Sequence, residues 1–249
     1  MKRPFLAVVS LSLMLAAPAF AQRAGGDPRA MTPVGNPSAL VAAELAFARL
    51  AQEKGQWTAF DATADDEAEM FVPQRTLARP WLKKRANPPQ AVQWQAQKAW
   101  VSCDGSAGVT YGAYQAPGGE SGWFSTVWKR DRKGQYKWVL DQGADLASPL
   151  PAADWLEGKV ADCPARPRRP EGEGPTPPRP QKGPPPMRPL AGPIPPVSAP
   201  QADNKDGQAN DGSLAWRSTV QGDGSRVWTV WMWKDGAMGE VLHLTAKAG

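Results

Sequence analysis

"GWFSTVWKRDRKGQYKWVLDQG", residues Gly122 to Gly143, carries the reading of the fold. Two short runs rich in aromatic and β-branched residues flank a basic, glycine-containing break, which is the grammar of a β-hairpin. Trp123, Trp128 and Trp138 lie in these runs, and Asp141 closes the second. Strict alternation in "YKWVLD" puts Tyr136, Trp138 and Leu140 on one face and Asp141 on the other. Asp141 is then either an acid or base in the wall of a ligand site, or a residue that ends a strand.

The β pattern extends upstream through "VQWQAQKAWVSCDG" (92–105) and "AGVTYGAYQA" (107–116), where Val109, Tyr111 and Ala113 share a face. Before it, "NPSALVAAELAFARLAQEKG" predicts a helix. Asn36 caps it, Pro37 takes the first position, Leu40, Ala43, Phe47 and Leu50 form one face, and Gly55 ends it. Glu44 on this helix is expected to be solvated or paired at its rim. A short helix is expected over Trp57 to Thr63, then an acidic turn and brief strand in "DDEAEMFVP", and a short helix or turn in "LARPWLKKR". A last helix is expected in "AADWLEGKV", where Asp154 and Glu157 have capping-box spacing.

The flanks differ in kind. Residues 1–21 have a basic start, an apolar run and an Ala-x-Ala end, the signature of a secretory signal peptide. A loose leader (22–35) would follow, and export to a bacterial periplasm is the expected location. No other run is apolar and long enough to predict a membrane span. Fifteen of the 27 prolines fall between Pro164 and Pro200, so residues 164–212 read as a disordered, proline-rich linker. The chain returns to β at 213–249, with turns at Gly222-Asp223-Gly224 and Asp235-Gly236 predicting three strands. Asp211-Gly212-Ser213 in this tail echoes Asp104-Gly105-Ser106. "RVWTVWMWK" (226–234) is apolar on both faces, so the tail either docks on the preceding domain or forms a homodimer interface.

Charge and cysteines narrow the function classes. The net charge of +5 comes from Lys2, Arg3 and a surplus of four in residues 164–200, so the remainder is near neutral and no nucleic-acid footprint is expected. Cys103 and Cys163, the only cysteines, would pair in an oxidising compartment. With one histidine, His243, and no paired cysteine motif, no metal site or cofactor is expected.

The amphipathic first helix, the small second helix, "ADDEAEMFVP", "RPWL" and the meander ending in "WKRDRKGQYKWVLDQG" together resemble the nuclear transport factor 2-like superfamily, in particular its SnoaL-like members. The resemblance covers about residues 38–148. It implies an α+β fold in which a cone-shaped, curved antiparallel sheet wraps around N-terminal helices and encloses a pocket. The domain is taken as residues 36–163. Relatives include ketosteroid isomerases, polyketide cyclases, dehydratases and binding modules, so the fold does not select an activity.

The isomerases carry a base just before the proline of the early strand; here that place reads Val72-Pro73. Their helix-borne tyrosine has no counterpart in "ALVAAELAFARLAQ". Asp61, Asp65, Asp66, Glu69, Asp141 and Tyr111 remain as acid–base candidates, with turn, rim or core roles as the simpler reading. Asp141 and Tyr111 are the two retained. Trp57, Phe60, Met70, Trp81, Trp94, Tyr111, Trp123 and Trp128 are the residues expected to line a pocket for a small apolar ligand. The role expected is an exported, non-catalytic protein that binds such a ligand or an envelope partner. The alternatives are an isomerase-, cyclase- or dehydratase-type pocket enzyme, and a structural envelope protein using its proline-rich stretch as a ligand.

Overall fold

A computed structural model describes residues 34–163, 194–197 and 199–248. The signal-peptide reading, residues 22–33 of the leader and residues 164–193 of the proline-rich stretch lie outside the described residues. No helix among those described is long and apolar enough to cross a membrane.

Helix α1 (Pro37–Lys54) starts where the sequence predicts. The Asn36 side chain accepts from the Ser38 and Ala39 amides at 3.0 and 3.4 Å, satisfying two donors that the helix cannot. Gly55, at φ 97°, separates it from α2 (Gln56–Thr63). Strands β1 (Ala64–Phe71) and β2 (Arg75–Leu77) follow, then α3 (Ala78–Leu82). The meander is β3 (Gln93–Val101), β4 (Ala107–Gln115), β5 (Ser121–Arg130) and β6 (Tyr136–Asp145).

These strands and β7 (Glu157–Val160) make one sheet in the order β2-β1-β6-β5-β4-β3-β7. The sheet is mixed: β1 runs parallel to β6, and β7 parallel to β3. Bulges at Gln97 and Val139 bend it towards the helices. Leu40, Phe47 and Ala51 of α1 and Ala59 of α2 pack on its inner face with Ala99, Trp128 and Trp138. Gly108 allows the closest approach of α1, since a Cβ there would lie 2.5 Å from the Leu40 side chain. The α+β class and the helix-filled, cone-like sheet are as expected.

Two expectations fail at the sheet's margins. The predicted helix in "AADWLEGKV" is instead strand β7, with Trp155 75% exposed before it. Gly158 weakens a helix there, and pairing with Lys98–Val101 supplies backbone partners that an isolated capping box cannot match. The expected linker, read as reaching residue 212, is interrupted by β8 (Asp203–Gln208). Its polar sequence, "DNKDGQ", has no apolar alternation because it is an edge strand held by ladder bonds to β9.

The three strands expected over 213–249 are β9 (Leu214–Val220), β10 (Arg226–Lys234) and β11 (Ala237–Ala246), and β8 joins them in a four-stranded sheet of order β11-β10-β9-β8. They dock on the outer face of the first sheet. Leu214, Trp216, Trp228, Val230 and Met232 pack against Trp100, Val109, Val127 and Leu140. The Trp228 indole donates to Ser125 Oγ at 3.1 Å, so the one polar atom of that buried ring is satisfied.

The echoed Asp-Gly-Ser turns prove to be partners. Ser213 Oγ accepts from the Cys103 amide and Asp211 Oδ2 from the Asp104 amide, both at 2.8 Å. Asp211 and Ser213 are fully buried there. Cys103 and Cys163 form a disulfide beside this junction, tying the end of β3 to the end of β7.

Candidate functional site

Between the helices and the inner face lies a cavity of about 360 Å³, within the range of small-ligand sites. Four of the expected lining residues do line it: Trp57 and Phe60 from α2, Met70 from β1 and Trp94 from β3. The Phe60 and Trp94 rings meet Phe47 edge to face, with centroids 4.8 and 4.9 Å away, and Trp57 meets Phe60 in the same way.

The other four do not. Trp81 packs on the back of Trp57 and lies under the Arg85 guanidinium, beside a separate surface depression. Tyr111 alternates to the outer face and joins the inter-sheet core. Trp123 is buried on the face of β5 opposite Phe124. Trp128 is full core, beneath the cavity rather than along it. In their places stand Phe47 from the buried stripe of α1 and Tyr114 and Phe124, which lie on the opposite faces of β4 and β5 from Tyr111 and Trp123.

Asp141 lines the cavity, contrary to the alternation. Val127 pairs with Leu140 but Trp128 pairs with Trp138, so Val139 is an extra, unpaired residue. One inserted residue reverses the facing of the rest of the strand. Trp138 therefore faces the helices, Leu140 faces the second sheet, and Asp141 returns to the inner side. The three residues predicted to share a face do not.

The environment of Asp141 is unusual for a carboxylate. Oδ2 accepts from Thr126 Oγ1 at 2.7 Å. The residue is half-buried in the cavity wall. Burial pushes its carboxyl up to about 7, the Thr126 hydroxyl opposing and the nearby Glu44 carboxylate adding to the rise. A group poised there is half-ionised near neutrality and can anchor a ligand or exchange a proton.

Glu44 corrects the reading further. It is not at the rim: it is 1% exposed, at the centre of the buried stripe Leu40, Glu44, Phe47 and Ala51. The i, i+4, i+7, i+11 spacing of Leu40, Glu44, Phe47 and Ala51 was visible in the sequence, but the charge of Glu44 argued against its burial. Three donors hold it: Thr110 Oγ1 at 2.5 Å, Trp94 Nε1 at 2.8 Å and Trp128 Nε1 at 3.1 Å. Burial nevertheless raises its affinity for a proton above the ordinary carboxylate value, outweighing these donors.

The remaining candidates are structural. Asp61 and Asp66 pair with Arg79 at 3.5 and 3.0 Å, Asp65 accepts from the Glu67 amide, and Glu69 pairs with Arg75 and Lys205. At the cavity mouth the Tyr114 hydroxyl donates to Asp145. Burial and that carboxylate together hold the phenol in its neutral form, well above its ordinary value.

No family model and no curated protein matches the sequence. Among solved structures, the chain is similar to a "putative ketosteroid isomerase" from Parabacteroides distasonis. That likeness has 12% identity over 47% of this chain and 97% of that one, with a TM-score of 0.37. It is similar also to a "putative aromatic ring hydroxylase" from Novosphingobium aromaticivorans, at 11% identity over 46% of this chain and 91% of that one, with a TM-score of 0.34. The fold itself stands on the strand order and the helix-packed inner face, which agree with the α+β, cone-like architecture that the sequence resemblance implied.

Proposed function

We propose that this protein is exported and binds a small, largely apolar organic molecule in the inner cavity, holding it by Asp141 without converting it. One observation carries the reading: a single enclosed carboxyl group projects into a space otherwise walled mainly by aromatic and aliphatic side chains. Binding sites of this kind take their affinity from apolar burial and their orientation from a few polar groups. The disulfide fits an oxidising compartment.

The test is native mass spectrometry of the full chain taken from its own cells. A low-mass adduct lost on denaturation is expected. It should be missing from Ala116→Trp, which fills the rim of the cavity. An adduct that survives in Ala116→Trp, or no adduct together with no ligand-dependent tryptophan fluorescence change across aromatic probes, would refute the reading.

A second reading has its own support. An Asp141 carboxyl titrating near 7 is suited to general acid–base work. Tyr111, the other acid–base candidate retained from the sequence, lies on the opposite face and cannot assist it. Under this reading the bound molecule is released altered, and Asp141→Asn abolishes turnover while leaving binding measurable.

A further inference from the structure

We propose that the cavity takes an organic cation, an amine or quaternary ammonium borne on a flat apolar body, with Asp141 as its counter-ion and the surrounding rings as its cage. The inference rests on the pocket reading above and specifies its ligand class.

The charged residues that line the cavity are Asp141 and Asp145, both acidic. A third carboxyl, Glu44, lies behind the wall, close enough to act on Asp141. Among the described residues, no lysine or arginine lines the space. The nearest guanidinium groups lie behind the wall. Arg75 is held by Glu69 and Asp203, at 3.5 and 3.0 Å. Arg226 donates to the Gly143 carbonyl at 2.9 Å and stacks 4.5 Å from the Phe71 ring centroid, two residues of the cavity wall, while its Nη1 is buried with no hydrogen-bond partner among the described residues.

An apolar ligand without charge would leave the Asp141 carboxylate desolvated and unmatched, a costly arrangement. A carboxylate ligand would add repulsion. A cation removes the mismatch, and Trp57, Phe60, Trp94, Tyr114 and Phe124 border the same space with electron-rich rings, which attract positive charge. Electron-rich rings around an acidic centre are the physical recipe for ammonium recognition, and the cavity accommodates a head group together with an aromatic body.

Three probes of similar shape separate the terms: benzyltrimethylammonium, its neutral isostere neopentylbenzene, and phenylacetate. Titrated into the full chain near pH 8 with tryptophan fluorescence as readout, the cation is expected to bind at least about tenfold tighter than the other two. Asp141→Asn should erase that preference, weakening the cation and tightening the neutral probe, which no longer meets a desolvated carboxylate. Trp57→Leu, a second variant away from the carboxyl, should weaken the cation more than the neutral isostere. Equal binding of the cation and the neutral probe by the unaltered chain would overturn the proposal and leave the pocket reading intact. Preference for phenylacetate would overturn it in favour of an anion site at Arg226. Failure of all three probes to bind would overturn the pocket reading as well.

Discussion

On its outer face the seven-stranded sheet meets a second sheet, and on its inner face it meets three helices. The two contacts are built from similar residues to different ends. Outside, tryptophans and β-branched side chains interdigitate, and several polar atoms among them find partners, as Trp228 does with Ser125 and Asp211 with the Asp104 amide, while the Ser218 hydroxyl and the Gln142 amide are buried without one among the described residues. Inside, the helices hold the aromatic rings apart around a cavity, and two carboxyl groups are placed where burial raises their proton affinity. Flat sheets can mate along their whole length, whereas a short helix laid in a bent sheet leaves space at the open end. The outer face serves cohesion; the inner face spends some stability on a site.

That contrast can be broken from either side. The largest effect is expected outside: Trp228→Ala removes a ring that is 1% exposed and leaves Ser125 without its donor. A loss of about 3–5 kcal/mol is expected in urea denaturation. If the variant unfolds in two steps, with the tail leaving first, the outer face is a docked addition rather than part of one core.

Inside, Glu44→Ala leaves the Trp94 and Trp128 indoles and the Thr110 hydroxyl without their acceptor. It should cost about 3 kcal/mol, with Glu44→Gln costing less because an amide oxygen still accepts. A stabilised Ala variant would mean that charge burial, and not donor satisfaction, dominates there.

Asp141 gives a pH-dependent signature. Its folded value of about 7 lies above the ordinary 3.8, so the native state holds this proton more tightly than the unfolded chain does. Its contribution is therefore fully present below about pH 4 and is lost as pH rises through about 7. Discounted for access of water to the cavity, the loss should be about 2 kcal/mol. Asp141→Asn should flatten that part of the stability profile, and a direct NMR titration should find the same midpoint.

The smallest effect is Asn36→Ala. It removes the cap of α1 and should lower stability by about 1 kcal/mol without altering ligand affinity, since the cap lies far along the helix from the cavity-lining Phe47.

Much of this architecture was legible in the sequence where local rules act alone. The Asn36 cap, the Gly55 stop, the hairpin in "GWFSTVWKRDRKGQYKWVLDQG" and the Cys103–Cys163 pairing all followed from residue type and spacing. The misreadings arose where distant partners decide. Glu157–Val160 is a strand because β3 offers an edge, and Asp203–Gln208 because β9 does. Glu44 could be placed only once the indoles of Trp94 and Trp128 were known to converge on it. Of the eight residues expected around the cavity, those on α2, β1 and β3 line it, while Trp123 and Tyr111 fell to the wrong side of alternating strands whose inward parity was unknown.

The Val139 bulge has a consequence for how such a site could arise or vanish. The charge in the cavity is set by the register of β6 as well as by its composition, because one unpaired residue lets Trp138 and Asp141, three positions apart, take the same side of the sheet. Removing a single codon at Val139 would leave the neighbouring pairs in place and keep Asp141 inward, whereas drawing Val139 into the ladder opposite Val127 would turn Asp141 towards the Ser125–Trp228 wall and offer Leu140 to the cavity in its place. A neutral pocket and an acidic one are thus one register step apart, with every side chain conserved. Among relatives of this fold, the presence or loss of this bulge would then be as telling about ligand charge as any substitution.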